Sequence, residues 1–556
     1  MLTLASRARF ATLLDLLDAD ATAEGSRAIV YVRPGAGDSE TVSKADLREA
    51  ADRYARALCS AGVRPRDVVV IAHPEGLDAV FTFLGALRLG ARPSMFPAPS
   101  EKLDPAAYRA STQLIVRHSG ARLVVASDAF LPVLAEVVGC PVVGFGDLRS
   151  DRGRAVPRVA AAADDIAFLQ HSSGTTGLQK GVALSHRAVL NQVASYSEAL
   201  QLAQDDVVVS WLPLYHDMGL IAGFLLPLLQ GLPLVLMSPF DWVKRPALLL
   251  RAIHEHGGTL CWLPNFAYSH CARRVLDREI EGLSLAGVRA FINCSEPVLD
   301  SSQRAFLERF ASIGVKPQQL GASYAMAENV FAVTQTPMGR PPRLDRVDRA
   351  ALTQSGWAAS MAESGPTAGV YVSCGPPIPG VELRVERGFE ARRVGEIQVR
   401  SDCMLSGYHG RPDLDAGLFD EGWYRTGDLG YCADGELYVV GRKKDLIISA
   451  GKNLHPHDLE DVVNAVAGVH PGRAVAFGVA DEAEGTELVA IVAEVESQDP
   501  ESRRAIGRAI RQALLEQLGV SAAYVHLVGP KWLLKTSSGK LARAMNREKW
   551  LAERAG

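Results

Sequence analysis

Ser172, Ser173, Gly174, Thr175, Thr176, Gly177, Leu178, Gln179, Lys180 and Gly181 are consecutive, and together they can hold an anion. The glycines let backbone N–H groups approach closely, the hydroxyls add donors, and Lys180 adds a charge. A nucleotide triphosphate needs this combination. The run is not a Walker A motif, because its lysine comes three residues after the second glycine and precedes another glycine. A flexible turn has the same composition, so the run gains meaning from its companions along the chain. Five further blocks carry groups able to do chemistry. Residues 211–219 contain His216 and Asp217, residues 321–328 contain Ser323, Tyr324 and Glu328, and residues 422–428 end on Asp428. Residues 441–445 contain Arg442 and Lys444, and residues 535–540 end on Lys540.

These blocks need a scaffold. Residues 43–59 predict an amphipathic helix, with Ser43 as cap, Asp46 three residues on, and Leu47, Ala51, Tyr54 and Leu58 on one face. Residues 67–72 read as a strand buried on both faces, and similar runs recur at 123–126, 166–169, 234–237 and 288–292. The phosphate-type run comes directly after the one at 166–169. Helical patterns between such strands predict layered α/β subdomains with largely parallel sheets. After about residue 375 the pattern becomes short strands (381–385, 396–400) separated by Gly and Pro, which predicts a β-rich subdomain to about 440. Beyond 441, strands at 474–480 and 488–495 and a helix at 503–518 predict a small α+β domain. The expected division is 1–440, a junction at 441–445, and 446–556.

The 556 residues exceed one ordinary domain. With 48% hydrophobic and 22% charged residues, the composition is globular and argues against a disordered chain. A net charge of −4 shows no basic excess for nucleic acid. The eight cysteines contain no Cys-x-x-Cys pair, which excludes zinc-ribbon and thioredoxin-like spacing. Residues 1–17 lack a signal-type apolar core. The best membrane candidate, 220–237, is interrupted by Gly223, Pro227, Gln230, Gly231 and Pro233, so a buried helix and then a buried strand are expected instead of a span. The expected location is cytoplasmic.

The six blocks, in this order, resemble the adenylate-forming superfamily, which includes acyl-CoA synthetases, adenylation domains of peptide synthetases, and luciferases. Within it the chain looks most like the fatty-acyl-AMP ligases. That resemblance rests on Tyr215 to Leu220, on Pro264-Asn265-Phe266-Ala267, on Ser295-Glu296-Pro297-Val298, and on Tyr324 to Glu328. It also rests on the stretch 336–372, with its phrase Leu344-Asp345-Arg346-Val347-Asp348-Arg349. The resemblance implies that a carboxylic acid attacks the α-phosphorus of ATP, pyrophosphate leaves, and a thiol then displaces AMP. It implies a large N-terminal domain and a mobile C-terminal domain.

By the same resemblance, residues 172–181 hold the β- and γ-phosphates, with Thr175, Thr176 and Lys180 as the strongest contacts. Glu328 positions Mg²⁺, for which a carboxylate is a suitable hard ligand. Tyr324 and the turn Ser295, Glu296, Pro297 sandwich adenine, with Ser323 beside them. Asp428 accepts from the ribose hydroxyls, and Arg442 makes a second ribose or phosphate contact. Lys540 is the catalytic cation bridging the acid and the α-phosphate. No general base is required, because the acid is already ionised near neutral pH. His216 orients or gates the acid, and Lys444 is the hinge. Each residue also fits a plain structural role: a helix-start Glu, a core Tyr, a core His, a solvated Lys.

Three residues depart from the family pattern: Ala325 where Gly is usual, Gln179 and Leu534 where Pro is common. None removes a charge or a metal ligand. Leu214, Met218, Phe266, Ala267 and Ala322 are candidate walls of the acid pocket, and their apolar character favours an acid with an apolar tail. The acceptor stays open between the phosphopantetheine thiol of an acyl carrier protein, coenzyme A, and an amine. A non-catalytic nucleotide-binding relative is the alternative of another class. Carrier proteins are commonly acidic, so a basic docking patch is expected, yet no linear run of charge marks one.

Overall fold

The structure is a computed structural model. It describes residues 10–18, 27–35, 39–72, 76–97, 105–136, 138–150, 159–171, 180–362, 368–386, 391–449, 452–481, 486–535 and 541–555. Ser172, Ser173, Gly174, Thr175, Thr176, Gly177 and Lys540 lie outside the described residues.

Two seven-stranded sheets form the bulk of the chain. The first runs in the order Leu320–Ala322, Ala290–Asn293, Leu260–Leu263, Val208–Ser210, Leu234–Met237, Arg27–Val32, Ser39–Ser43. It is parallel apart from its last pair. The second runs Gly407–Tyr408, Gly181–Ser185, Ile166–His171, Arg92–Phe96, Val68–Ala72, Leu123–Ala126, Val142–Gly144. The apolar run Val68–Ala72 has a simple cause. Val69 and Ile71 enter the large core shared with the first sheet, while Val68, Val70 and Ala72 enter a second core on the opposite face. Alternation is lost because both faces are buried.

The helix Lys44–Ser60 begins at Ser43 with a full capping box to Asp46, and buries Leu47, Ala51, Tyr54 and Leu58 as its spacing predicts. The interrupted apolar segment is a helix and then a strand. Met218–Leu225 is a π-helix, Leu226–Gln230 an α-helix, and Leu234–Met237 a central strand. Gly219 is needed here, since a Cβ at that position would collide with the Pro213 carbonyl, and one at Gly223 would lie 2.6 Å from Ser210 Oγ. The π-helix thus lies directly on the loop that carries His216. Among the described residues, no helix is long and apolar enough to cross a membrane.

A five-stranded antiparallel sheet comes next: Val381–Val385, Gly395–Ser401, Trp423–Ala433, Phe419–Asp420 and Glu436–Arg442. The paired strands Leu344–Asp348 and Ala368–Val372 form a separate two-stranded sheet that packs Val347 and Tyr371 against Tyr431, Tyr438 and Val440 of the five-stranded one. Beyond Lys443, a three-stranded sheet (Val469–Asp481, Thr486–Val495, Ala522–Val528) carries the helices Pro456–Asn464, Pro500–Leu518 and Arg543–Ala555. Its two apolar clusters draw only on residues between Ile447 and Trp550.

Candidate active site

The parallel first sheet organises the site. Strands Val208–Ser210, Leu260–Leu263, Ala290–Asn293 and Leu320–Ala322 lie side by side and point the same way. The blocks at 211–219, 264–267, 294–298 and 323–328 are the segments that leave their carboxyl ends. Blocks far apart in sequence therefore meet at one edge, which is where open α/β sheets bind ligands. Strand Ile166–His171 of the second sheet directly precedes the phosphate-type run in the sequence, and Lys180 directly precedes the strand Gly181–Ser185.

Glu328 is half-buried in a short 3₁₀ turn, Ala327–Asn329. Tyr408 Oη donates to its Oε1 at 2.8 Å and contacts Tyr424 Oη at 3.1 Å. The Leu405 N–H donates to the Glu328 carbonyl at 2.8 Å. Burial pushes the Glu328 carboxyl above its ordinary pKa. The Tyr408 hydrogen bond and Lys180 pull it back, and Asp217 pushes it further up. Lys180 Nζ lies 4.5 Å from the centre of the Tyr408 ring. The next residues hold the turn in an unusual conformation. Val330 has φ 62° and ψ −54°, and the Phe331 N–H closes on Asn329 O at 2.6 Å, a positive-φ γ-turn. A β-branched residue resists this conformation, at a cost of order 1–3 kcal/mol. Buried Asn329 enforces it, donating to Ala332 O at 2.7 Å and accepting from Ser401 Oγ at 2.5 Å. Strain is held where it fixes the position of one carboxylate.

Asp428 and Arg442 face each other across paired strands of the five-stranded sheet. Arg442 Nε stands 3.3 Å from Asp428 Oδ1, and Tyr324 Oη donates to Oδ2 at 2.7 Å. Burial and this neighbouring carboxylate push the Tyr324 phenol well above its ordinary pKa. Asp428 keeps acceptor capacity beyond these two contacts. Lys444 is exposed, and its ammonium is held below its usual pKa by partial desolvation and by Arg442, with Asp445, Lys180 and Asp428 also within electrostatic range. Lys180, Glu328, Tyr324, Asp428, Arg442 and Lys444 thus share one neighbourhood.

The remaining expected residues are less directly engaged. His216 Nδ1 lies 2.6 Å from Asp217 Oδ1, an ion pair when the ring is protonated, and Asp217 also accepts from the Met218 N–H at 2.8 Å. Ser295 has φ 70° and sets its hydroxyl 3.9 Å from Met218 Sδ, joining the 294–298 turn to the π-helix. Glu296 accepts from the Phe266 N–H at 2.9 Å, serving the first turn of helix Asn265–Arg274. Pro297 is exposed. Ser323 Oγ donates to Thr334 O at 2.7 Å. Sequence reasoning missed Tyr408, Asn329 and Val330. Tyr408 meets Lys180 only because Gly407–Tyr408 pairs with Gly181–Ser185, and no local spacing signals that.

The AMP-binding enzyme family matches residues 17–409. A putative acyl-CoA synthetase of Caulobacter vibrioides is 33% identical over 98% of this chain and 96% of its own length. JamA of Moorena producens, a medium-chain-fatty-acid–[acyl-carrier-protein] ligase, is 30% identical over 98% of this chain and 96% of its own. A solved structure from work on fatty acyl-adenylate ligases of E. coli and L. pneumophila superposes with a TM-score of 0.90 at 28% identity, covering 99% of both chains. The chain belongs to the AMP-binding enzyme family and is an adenylate-forming ligase of the fatty-acyl type.

Proposed function

We propose that the enzyme activates a fatty acid as an acyl-adenylate and passes the acyl group to the phosphopantetheine thiol of an acyl carrier protein. The convergence of Lys180, Glu328, Asp428 and Arg442 on one neighbourhood supports the adenylation half of this reading. An anion must attack a polyanion, so fixed cations and donors have to screen both partners. The acid's carboxylate oxygen bonds to the α-phosphorus of ATP, the bond to the β-phosphate oxygen breaks, and pyrophosphate leaves. The thiol then adds to the acyl carbon and AMP departs.

In this reading residues 172–177 and Lys180 hold the departing phosphates. Lys540 neutralises charge between the acid and the α-phosphate. Asp428 accepts from the ribose hydroxyls while Tyr324 and Arg442 fix its two oxygens. Tyr324 and the Ser295–Glu296–Pro297 turn flank adenine, with Ser323 holding the strand end that carries Tyr324. His216 orients the acid. Glu328 suits Mg²⁺, which binds through one or two carboxylates together with phosphate oxygens and water. Tyr408 occupies only one of its roughly four acceptor sites. Bound there, the ion would supply charge neutralisation on the phosphates. Lys444 is the hinge about which the part beyond 446 turns between the two half-reactions.

JamA's name supports carrier transfer, and the Caulobacter name favours coenzyme A as the second reading. The test supplies ATP, Mg²⁺, fatty acids of graded length, and either coenzyme A or a holo carrier protein, with products read by mass spectrometry. Acyl-AMP and acyl-carrier without acyl-CoA is the expected outcome. Efficient acyl-CoA formation would move the enzyme to the second reading.

A further inference from the structure

The helix Pro500–Leu518 carries Arg504, Arg508, Arg511 and Leu515 at spacings of four, three and four residues. At 100° per residue these fall within an arc of about 60°, forming a stripe about 16 Å long. All four are exposed, and Leu515 is 61% exposed, the highest value among the exposed large hydrophobics of the described residues. The buried side of the same helix is separate, built from Gly507, Ile510 and Leu514. The helix carries two acids, Glu501 and Glu516; Glu516 accepts from Gln512 Nε2 at 2.8 Å, and neither appears among the ion pairs of the described residues. Arg503, off the stripe, donates to Ser497 O at 2.9 Å. In the same part of the chain Arg473 pairs with Glu494, and Arg543 with Glu460 and Asp445. Among the described residues, the ion pairs include none of Arg504, Arg508 and Arg511. Three unpaired cations in line, ending on a bare leucine, stand out in a chain of net charge −4.

We infer that this stripe docks the acyl carrier protein, through an acidic helix whose carboxylates face the arginines and whose apolar residue covers Leu515. The inference rests on the carrier reading above and names its surface. Complementary charge raises the rate of encounter and fixes register. The stripe is invisible as a run of charge because helical winding brings together residues that apolar positions separate.

The test compares the enzyme with its R504E/R508E/R511E variant on three readouts: acyl-AMP formation, acyl transfer to free pantetheine, and transfer to a panel of holo carrier proteins. The variant is expected to keep the first two and to raise KM for the carrier about tenfold or more. R504K/R508K/R511K is expected to retain wild-type KM, which a merely structural role for the arginines would not predict. Raising salt from roughly 50 to 300 mM should weaken carrier use in the wild type and hardly at all in the glutamate variant. Unchanged carrier KM in the glutamate variant overturns the inference and leaves carrier transfer standing. A wild type that acylates coenzyme A and none of the carriers overturns both. Dimerisation of the wild type that the glutamate variant abolishes, with unchanged carrier KM, assigns the stripe to a second copy of the chain.

Discussion

Around Glu328 and Asp428 the chain closes on itself through hydrogen bonds that span 80 and 104 residues, Tyr408 to Glu328 and Tyr324 to Asp428. Strand ends from three sheets interlock there, and even a strained γ-turn is held in place. The part beyond Lys443 is built differently. It has its own apolar clusters and touches the 344–372 hairpin region through polar atoms, Tyr371 Oη at 3.2 Å from both Asp458 oxygens and Arg349 Nε at 3.9 Å. The hydrogen bonds around Glu328 and Asp428 are backed by the large apolar core that Tyr324, Val330 and Phe331 enter, and separating that core would expose apolar surface to water. Polar contacts exchange readily with water and leave little net cost. The contrast fits an enzyme that keeps its nucleotide wall fixed while its smaller part moves.

The largest effects should fall on the wall. Glu328→Gln should lower acyl-AMP formation about 10²–10³-fold. It should leave the melting temperature unchanged or raised, since burial disfavours the charged carboxylate. A matching loss of Tm would make Glu328 structural. Asp428→Ala should raise KM for ATP about 10–100-fold, the scale of a lost charge-assisted hydrogen bond with Tyr324 and Arg442 left unpaired. Tyr408→Phe keeps the ring beneath Lys180 and removes the hydroxyl's bond to Glu328 together with its contact to Tyr424, so a drop of about tenfold in rate is expected.

Much of this was legible in the sequence. The strands at 123–126, 234–237 and 381–385 match the observed bounds, and the helix at 503–518 begins only three residues early, at Pro500. Buried runs and caps are local signals, so they can be read locally. Glu328, Asp428 and Arg442 stood out through motif resemblance. Tyr408 and Asn329 did not, because each acts through a partner whose proximity depends on strand pairing. The arginine stripe was missed for a related reason: its order exists only after helical winding.

Smaller effects should fall on the part beyond Lys443 and its seam with the 344–372 region. Tyr371→Phe should change acyl-AMP formation by less than about twofold and alter transfer to the thiol more, because it loosens only the polar seam. Asp461 offers a pH test of the same region. Burial, then Asp458, pushes its carboxyl up to about 7. Between an ordinary value near 4 and that value, the folded chain holds a proton that the unfolded chain has lost. Stability should therefore fall as pH rises through this window, then level off. Asp461→Asn should flatten the slope in thermal melts. An unchanged slope would place the titration elsewhere.

The most direct test of the account is fatty-acid-dependent exchange between ATP and labelled pyrophosphate, measured for the wild type, Lys540→Ala and Glu328→Gln. It reads the adenylation step alone, without any acceptor. The account predicts exchange that requires the acid and falls at least about 10²-fold in both variants. Equal exchange in all three, or none in the wild type with any acid, would contradict it.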